Sequence, residues 1–253
     1  MIKHLFPSDR SKPQRRKPSG KAKQGRKRNV INRLIERDMI HKISYDEYSN
    51  KVRSIYDGPK GAMLKTFSAL SGHEQLGERL IRERRFDVSD ARQLLDVGSG
   101  AGQIMRHLLK FSHPSANIVG FDLSAAMLRR ARQRIKTDRP ALLATNVLHL
   151  PFRDEVFDCV TCGYVLEHLP DANAGLAELC RVMQPGGRML LFATEDNLGG
   201  AWTSRMWGCR TYNREELLAG AASVGLHLTK ELWFTKMHKV LRAGGICVEL
   251  QKQ

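Results

Sequence analysis

From Gln93 onward, short apolar runs alternate with amphipathic stretches. The runs at 93–97, 117–121, 141–145, 156–161, 188–194, 226–234 and 245–250 have the length and the Val, Leu, Ile and Phe content of strands. Ile104, Leu108 and Phe111 mark one helix face between the first two runs. Met127, Leu128, Ala131 and Ile135 mark a second, and Leu176, Cys180 and Met183 a third. Pro185-Gly186-Gly187 stops the third helix. Asn213, with Glu216 three residues on, is a capping-box variant ahead of Leu217, Leu218 and Ala221. Strands alternating with helices over this length predict an α/β fold: a doubly wound, mostly parallel seven-stranded sheet with helices on both faces. The link Thr235–Gly244 is short for a crossover helix, so the last two strands are expected to pair antiparallel.

Ahead of Gln93 the pattern is looser. Ile31, Leu34, Ile35, Met39 and Ile40 share a helix face, and Gly58-Pro59 ends that segment. A further helix is expected from about Ser71 to Phe86. Three regions follow: a disordered basic tail at 1–29, a helical cap or lid at 30–90, and the α/β domain at 91–253.

Charge sharpens that division. The chain of 253 residues has a formal charge of +16. Residues 1–29 hold eleven Lys/Arg and one acid, Asp9, a net +10, which leaves +6 for the rest. A basic chain suggests a nucleic-acid binder, but most of the excess sits in a tail with few apolar residues. No run of about 18 apolar residues is present, so no transmembrane helix is expected. The N-terminus lacks the apolar region of a secretory signal. Cys159, Cys162, Cys180, Cys209 and Cys247 are expected to be free thiols in a reducing, cytoplasmic setting. Cys159 and Cys162 form a C-x-x-C within a predicted strand, where their side chains point to opposite faces, so no metal site is expected.

The sharpest motif is Leu94-Leu95-Asp96-Val97-Gly98-Ser99-Gly100-Ala101-Gly102, where a strand gives way to a helix. Glycines allow a tight turn and close approach of backbone to a ligand, and the helix amides face that ligand. A dinucleotide fingerprint needs glycine at Gln103, and Asp96 beside the loop suits a cationic amino group better than a pyrophosphate. Asp122, at the end of the second strand and 20 residues beyond Gly102, is placed to accept ribose hydroxyls.

These features resemble class I S-adenosylmethionine (SAM)-dependent methyltransferases, most closely the small-molecule branch that includes ubiquinone/menaquinone biosynthesis enzymes. The resemblance covers residues 90–195 well. Four stretches carry it: Asp96–Gly102, Asp122-Leu123-Ser124, Asn146-Val147-Leu148-His149-Leu150-Pro151-Phe152, and Glu178–Gly187. It implies a Rossmann-like sheet whose last strand is antiparallel, with SAM as cofactor and S-adenosylhomocysteine as product. By position, Asp96, Gly98, Ser99, Gly100 and Gly102 would hold the methionine moiety. Asp122 would bind the ribose, Leu123 and Met127 would pack on adenine, and Asn146 and Val147 would meet its edge. Asn146 departs from the usual Asp. Gly163 and the residues after it would lie beside the transferable methyl, and Tyr56-Asp57 matches a pair ahead of the core that closes over the cofactor.

Methyl transfer from a sulfonium leans on positioning and desolvation, and needs a base only where the acceptor still carries its proton. His168 and Glu167, following the fourth strand, are the candidate bases. Tyr45, Tyr56, Tyr164, Trp202, Trp207 and Tyr212 are the candidate acceptor-pocket residues, since aromatic side chains suit an apolar or ring-shaped acceptor. The leading expectation is a methyltransferase for a small-molecule or lipid/quinone-like acceptor. The alternatives are an RNA methyltransferase anchored by the basic tail, and a non-enzymatic SAM-binding interaction module. Peripheral contact with an anionic membrane or nucleic acid is expected to run through residues 1–29.

Overall fold

The computed structural model describes Asn50 and residues 73–253 other than 208, 242 and 243. The tail 1–29, the first predicted helix, Tyr45 and Tyr56 lie outside the described residues. Seven strands form one sheet: β1 (Gln93–Val97), β2 (Asn117–Asp122), β3 (Ala141–Ala144), β4 (Phe157–Gly163), β5 (Met183–Ala193), β6 (Leu226–Glu231) and β7 (Ile246–Lys252). Their order is β3-β2-β1-β4-β5-β7-β6. β1 to β5 run parallel, and β7 is antiparallel to both β5 and β6. The doubly wound sheet is as the alternating pattern predicted, and the antiparallel pairing of β6 with β7 is as the short link between them predicted.

The helices are α1 (His73–Arg82), α2 (Gln103–Phe111), α3 (Ala125–Ile135), α4 (Ala172–Val182), α5 (Leu198–Trp207), α6 (Arg214–Ser223) and α7 (Lys236–Leu241), with a single 3-10 turn at Leu166–His168. Ser124 caps α3 by accepting from the Met127 amide, and Asn213 caps α6 by accepting from the Glu216 amide. Residues 80–88, which the sequence groups with the cap, bury Leu80, Ile81, Phe86 and Val88 in the core of the sheet domain.

Strands buried on both faces read as continuous apolar runs. In β1, Leu94 packs with α1 and α2 on one side of the sheet, while Leu95 packs with α4 and α6 on the other. Cys159 and Cys162 divide the same way, one into each core, and both are free and buried. No metal-binding cluster occurs among the described residues.

Two expectations shift. β5 begins at Met183 rather than 188, because Phe157 pairs with Met183 and the register then jumps to Cys159–Arg188. The link between β6 and β7 does hold a helix, α7, in spite of its length. Six residues suffice for a helix here because antiparallel strands need no crossover, only a return to the same edge.

Candidate active site

The C-terminal ends of β1, β2 and β4 meet at the edge where strand order departs in both directions from β1. Ligands in open α/β sheets bind at such a point. A cavity of about 180 Å³ occupies it. Of the predicted residues, Gly98, Gly100, Asp122, Leu123, Met127, Asn146, Val147 and Gly163 line it, joined by Tyr164 and His168. Phe121, Thr145, Val165 and Leu169 also line it. Sequence reasoning did not single these four out, although each adjoins a predicted position.

Backbone geometry shapes the loop after β1. Gly98 has φ +67, and a Cβ there would sit 2.3 Å from Cγ2 of Val165. Only glycine fits both constraints. The Ser99 amide donates to the Phe121 carbonyl at 2.9 Å, and the Ser99 hydroxyl donates to the Asp96 carbonyl at 3.0 Å. That hydroxyl would clash with a Cβ on Gly120, so the bare backbone of β2 lets the loop close. Asp122 then ties two turns together. It accepts from the Gly100 amide at 2.9 Å and from the Ser124 amide at 2.8 Å. A carboxylate offers about four acceptor positions, so bonds to amides and to a diol are compatible.

Asp96 is only 1% exposed and lies beneath the loop rather than in the cavity wall. Its Oδ1 accepts from the Thr161 hydroxyl at 2.7 Å, while Oδ2 is buried without a partner. Burial raises its carboxyl to about 6, against the Thr161 and Ser99 hydrogen bonds. Ser99 and Gly102 also stay out of the wall; Gly102 precedes α2, packed close to Ala131. Asn146 uses Oδ1 to accept from the Leu148 amide at 3.0 Å. A pocket with one carboxylate at a strand end, glycine amides, an amide side chain and the apolar Leu123, Met127 and Val147 fits a nucleoside carrying an amino-acid arm.

The exit of β4 separates two neighbouring candidates. His168 lines the cavity, and burial lowers its imidazole to about 4, so it is neutral near pH 7. It is half-buried by surface area, yet enclosed by protein, because its accessible surface opens on the cavity. Glu167 is 3% exposed and turned away. Its Oε1 accepts from the Thr194 amide at 2.8 Å and the Thr194 hydroxyl at 2.9 Å, and burial raises the carboxyl to about 7. Glu167 therefore holds the end of β5 against the 3-10 turn rather than reaching the cavity.

The aromatic candidates separate too. Tyr164, with φ +56, lines the cavity and stacks on Phe192 at 6.0 Å. Its hydroxyl is buried without a partner, and burial pushes its pKa up. Tyr212 donates its hydroxyl to the Leu166 carbonyl at 2.6 Å and so braces the turn instead of lining the cavity. Trp202 is 70% exposed on α5 and also lies outside the cavity wall. Trp207 ends α5, and its side chain lies outside the described residues.

Residues 95–191 match the family model described as a methyltransferase domain. A demethylmenaquinone methyltransferase of Lactiplantibacillus plantarum is 30% identical over 155 residues, 59% of this chain and 65% of its own length. The ubiquinone/menaquinone biosynthesis C-methyltransferase UbiE of Desulfotalea psychrophila is 36% identical over 141 residues, 51% of this chain and 57% of its own. The chain thus spans less than two thirds of the length of either relative. Magnesium protoporphyrin IX methyltransferase of Synechocystis PCC 6803, solved with SAM, aligns with a TM-score of 0.63 at 15% identity, covering 84% of this chain and 100% of that one. The N-methyltransferase NodS of Bradyrhizobium japonicum WM9, solved with S-adenosylhomocysteine, gives 0.54 at 16% identity over 88% and 99%. At these identities the structural likeness speaks for the fold. The family resemblance and the cofactor expected from the motifs are both borne out.

Proposed function

Taking residues 95–191 as a class I SAM-dependent methyltransferase domain, we propose that this chain transfers a methyl group to a lipid-like acceptor of the quinone type. The observation that carries the reading is the cavity at the β1/β4 divergence, with Asp122 bridging the loop after β1 and the start of α3. The quinone-type acceptor is supported by relatives named for demethylmenaquinone, ubiquinone and phytyl-naphthoquinone methylation.

SAM, when bound, supplies an electrophilic methyl on a sulfonium with a good leaving group. The chain's own residues orient and desolvate. Asp122 holds a diol, Asn146 and the Val147 amide meet the base, and Leu123 and Met127 pack on it. Gly163 and Tyr164 wall the side toward the acceptor. His168, neutral near pH 7, accepts a hydrogen bond from an acceptor hydroxyl. A neutral imidazole whose conjugate acid has a pKa of about 4 is a poor final proton acceptor. His168 therefore orients the acceptor rather than taking its proton outright.

The purified full chain should bind SAM by calorimetry, and Asp122→Ala should abolish that binding. With SAM and demethylated quinones, mass spectrometry should find products heavier by one methylene. SAM binding without any such product, across quinones of varied ring and tail, would refute the acceptor class. His168→Gln should lower turnover less than about tenfold and leave the pH profile unchanged above about pH 5. A loss nearer a thousandfold would make His168 the base.

A further inference from the structure

The polar and apolar residues of the wall already have roles, but the rim beside it does not. Four large apolar side chains are exposed among the described residues. Three of them are Trp202 at 70%, Met237 at 66% and Val240 at 81%. Trp202 is on α5, which follows β5, and the other two are on α7, which links β6 to β7. Both segments leave the sheet at the edge that holds the cavity. Ala193, the last residue of β5, pairs with Ile246, the first of β7, and the Leu232 amide reaches Cys247 on the way out of β6.

The two segments share a second property. Residues 198–212 and 232–245 contain no Asp or Glu, while they hold Arg205, Arg210, Lys236, Lys239 and Arg242. Lys236 and Lys239 are exposed beside Met237 and Val240, and Arg205 is exposed on α5. At 3.6 residues per turn, Lys239, Lys236, Val240 and Met237 span about 160° of the α7 surface, with the lysines on one side and the apolar pair on the other. His238 faces inward, its ring edge-on to Phe234 at 5.9 Å. The nearest flanking acids, Glu195 and Glu231, lie outside both segments and share the guanidinium of Arg214.

We infer that this rim is a docking surface for an anionic lipid bilayer, with α7 lying in the interface and Trp202 beside it. Exposed apolar residues ringed by cations, without acids, are the composition of an interfacial helix. The lysines meet lipid phosphates, and Met237, Val240 and Trp202 enter the boundary with the acyl chains. The cavity edge then faces the membrane, so a lipid-like acceptor can enter without crossing water. The inference gives the proposed function a location, and its test does not depend on turnover.

The full chain and its Met237→Asp/Val240→Asp variant would be compared for flotation with vesicles of equal phosphatidylglycerol and phosphatidylcholine. Both carry residues 1–29, so the tail contributes equally. The variant should bind at least about tenfold more weakly, with SAM binding by calorimetry unchanged. Equal binding overturns the inference. A second measurement guards against misfolding. The native cysteines are all buried, so a polarity-sensitive fluorophore can be placed on Val240→Cys. Its emission should shift to the blue with anionic vesicles. No shift, or a shift only with an RNA oligonucleotide, overturns the bilayer assignment. Loss of SAM binding by the unaltered chain would instead strike the proposed function and leave the vesicle result standing.

Discussion

Between Val97 and Asp122 the cavity is shaped by backbone; between Gly163 and Leu169 it is walled by side chains that residues out to Tyr212 brace. On the first side, amides of Gly100 and Ser124 converge on one carboxylate, and Gly98 and Gly120 keep the space clear. On the second, Tyr164, Glu167, His168, Thr194 and Tyr212 come from three chain segments and are sorted by what each one bonds. A common cofactor needs one fixed shape, which a short turn can encode. An acceptor site varies with its substrate and is assembled from a distance, so neighbouring residues there take unrelated duties.

Breaking the backbone side should have the largest effect. Gly98→Val places a side chain on Val165 at a positive φ, and SAM affinity should fall at least a hundredfold, about 3 kcal/mol. Calorimetry checks it, and pairing Gly98→Ala with Val165→Ala should recover part of the loss. Recovery in full would show that the contact, not the φ, governs the loop.

Glu167 is the next test, and it concerns stability instead of binding. Glu167→Ala leaves the Thr194 amide without its acceptor and should lower unfolding free energy by about 1–3 kcal/mol, measured in urea. SAM affinity should stay within about threefold. The carboxyl is raised from its ordinary 4.5 to about 7 by burial. The folded state therefore holds a proton that the unfolded chain releases. The resulting stability is complete below pH 4.5 and is lost as pH rises through about 7. Asp96 acts in the same direction up to about 6, whereas His168, lowered from 6.5 to about 4, acts in the opposite one. The difference between the native chain and Glu167→Gln isolates the Glu167 share. The variant should show less loss of stability between pH 5 and 8, and an equal loss in both would mean Glu167 ionises normally.

Smaller effects follow on the same side. Tyr212→Phe removes one hydrogen bond to Leu166 and should cost about 1 kcal/mol in thermal or urea unfolding. Trp202→Ala should change stability by less than about 0.5 kcal/mol and leave SAM binding intact, because the ring is exposed. A clear fall in turnover of a water-soluble acceptor would return Trp202 to the acceptor path.

The site was legible where its signal is local. Eight of the cofactor positions named from motifs line the cavity, and the other three, Asp96, Ser99 and Gly102, sit just behind the loop. Asp96 shows the limit: its neighbours in the chain mark it as a ligand-side acid, but its partner is Thr161, on the adjacent strand. The aromatic loop after β5 looked like a pocket because an aromatic cluster is also the signature of one. Packing instead gave Tyr212 a carbonyl to hold and left Trp202 in solvent. In the same way, the length of the β6–β7 link argued correctly for antiparallel pairing but did not reveal α7.

The alternation of apolar runs with amphipathic stretches by itself determined the strands and the parallel winding of β1 to β5, because central strands such as β1 and β4, buried on both faces, read as continuous apolar runs. The loop after β1 and its partnership with Asp122 were determined too, since a tight turn with positive φ admits few residues other than glycine. Only the tertiary structure decided between Glu167 and His168. Successive residues in a 3-10 turn point about 120° apart, so one must leave the cavity when the other enters. Thr194, arriving from β5 with an amide and a hydroxyl to be accepted, draws Glu167 to itself and leaves His168 to the cavity.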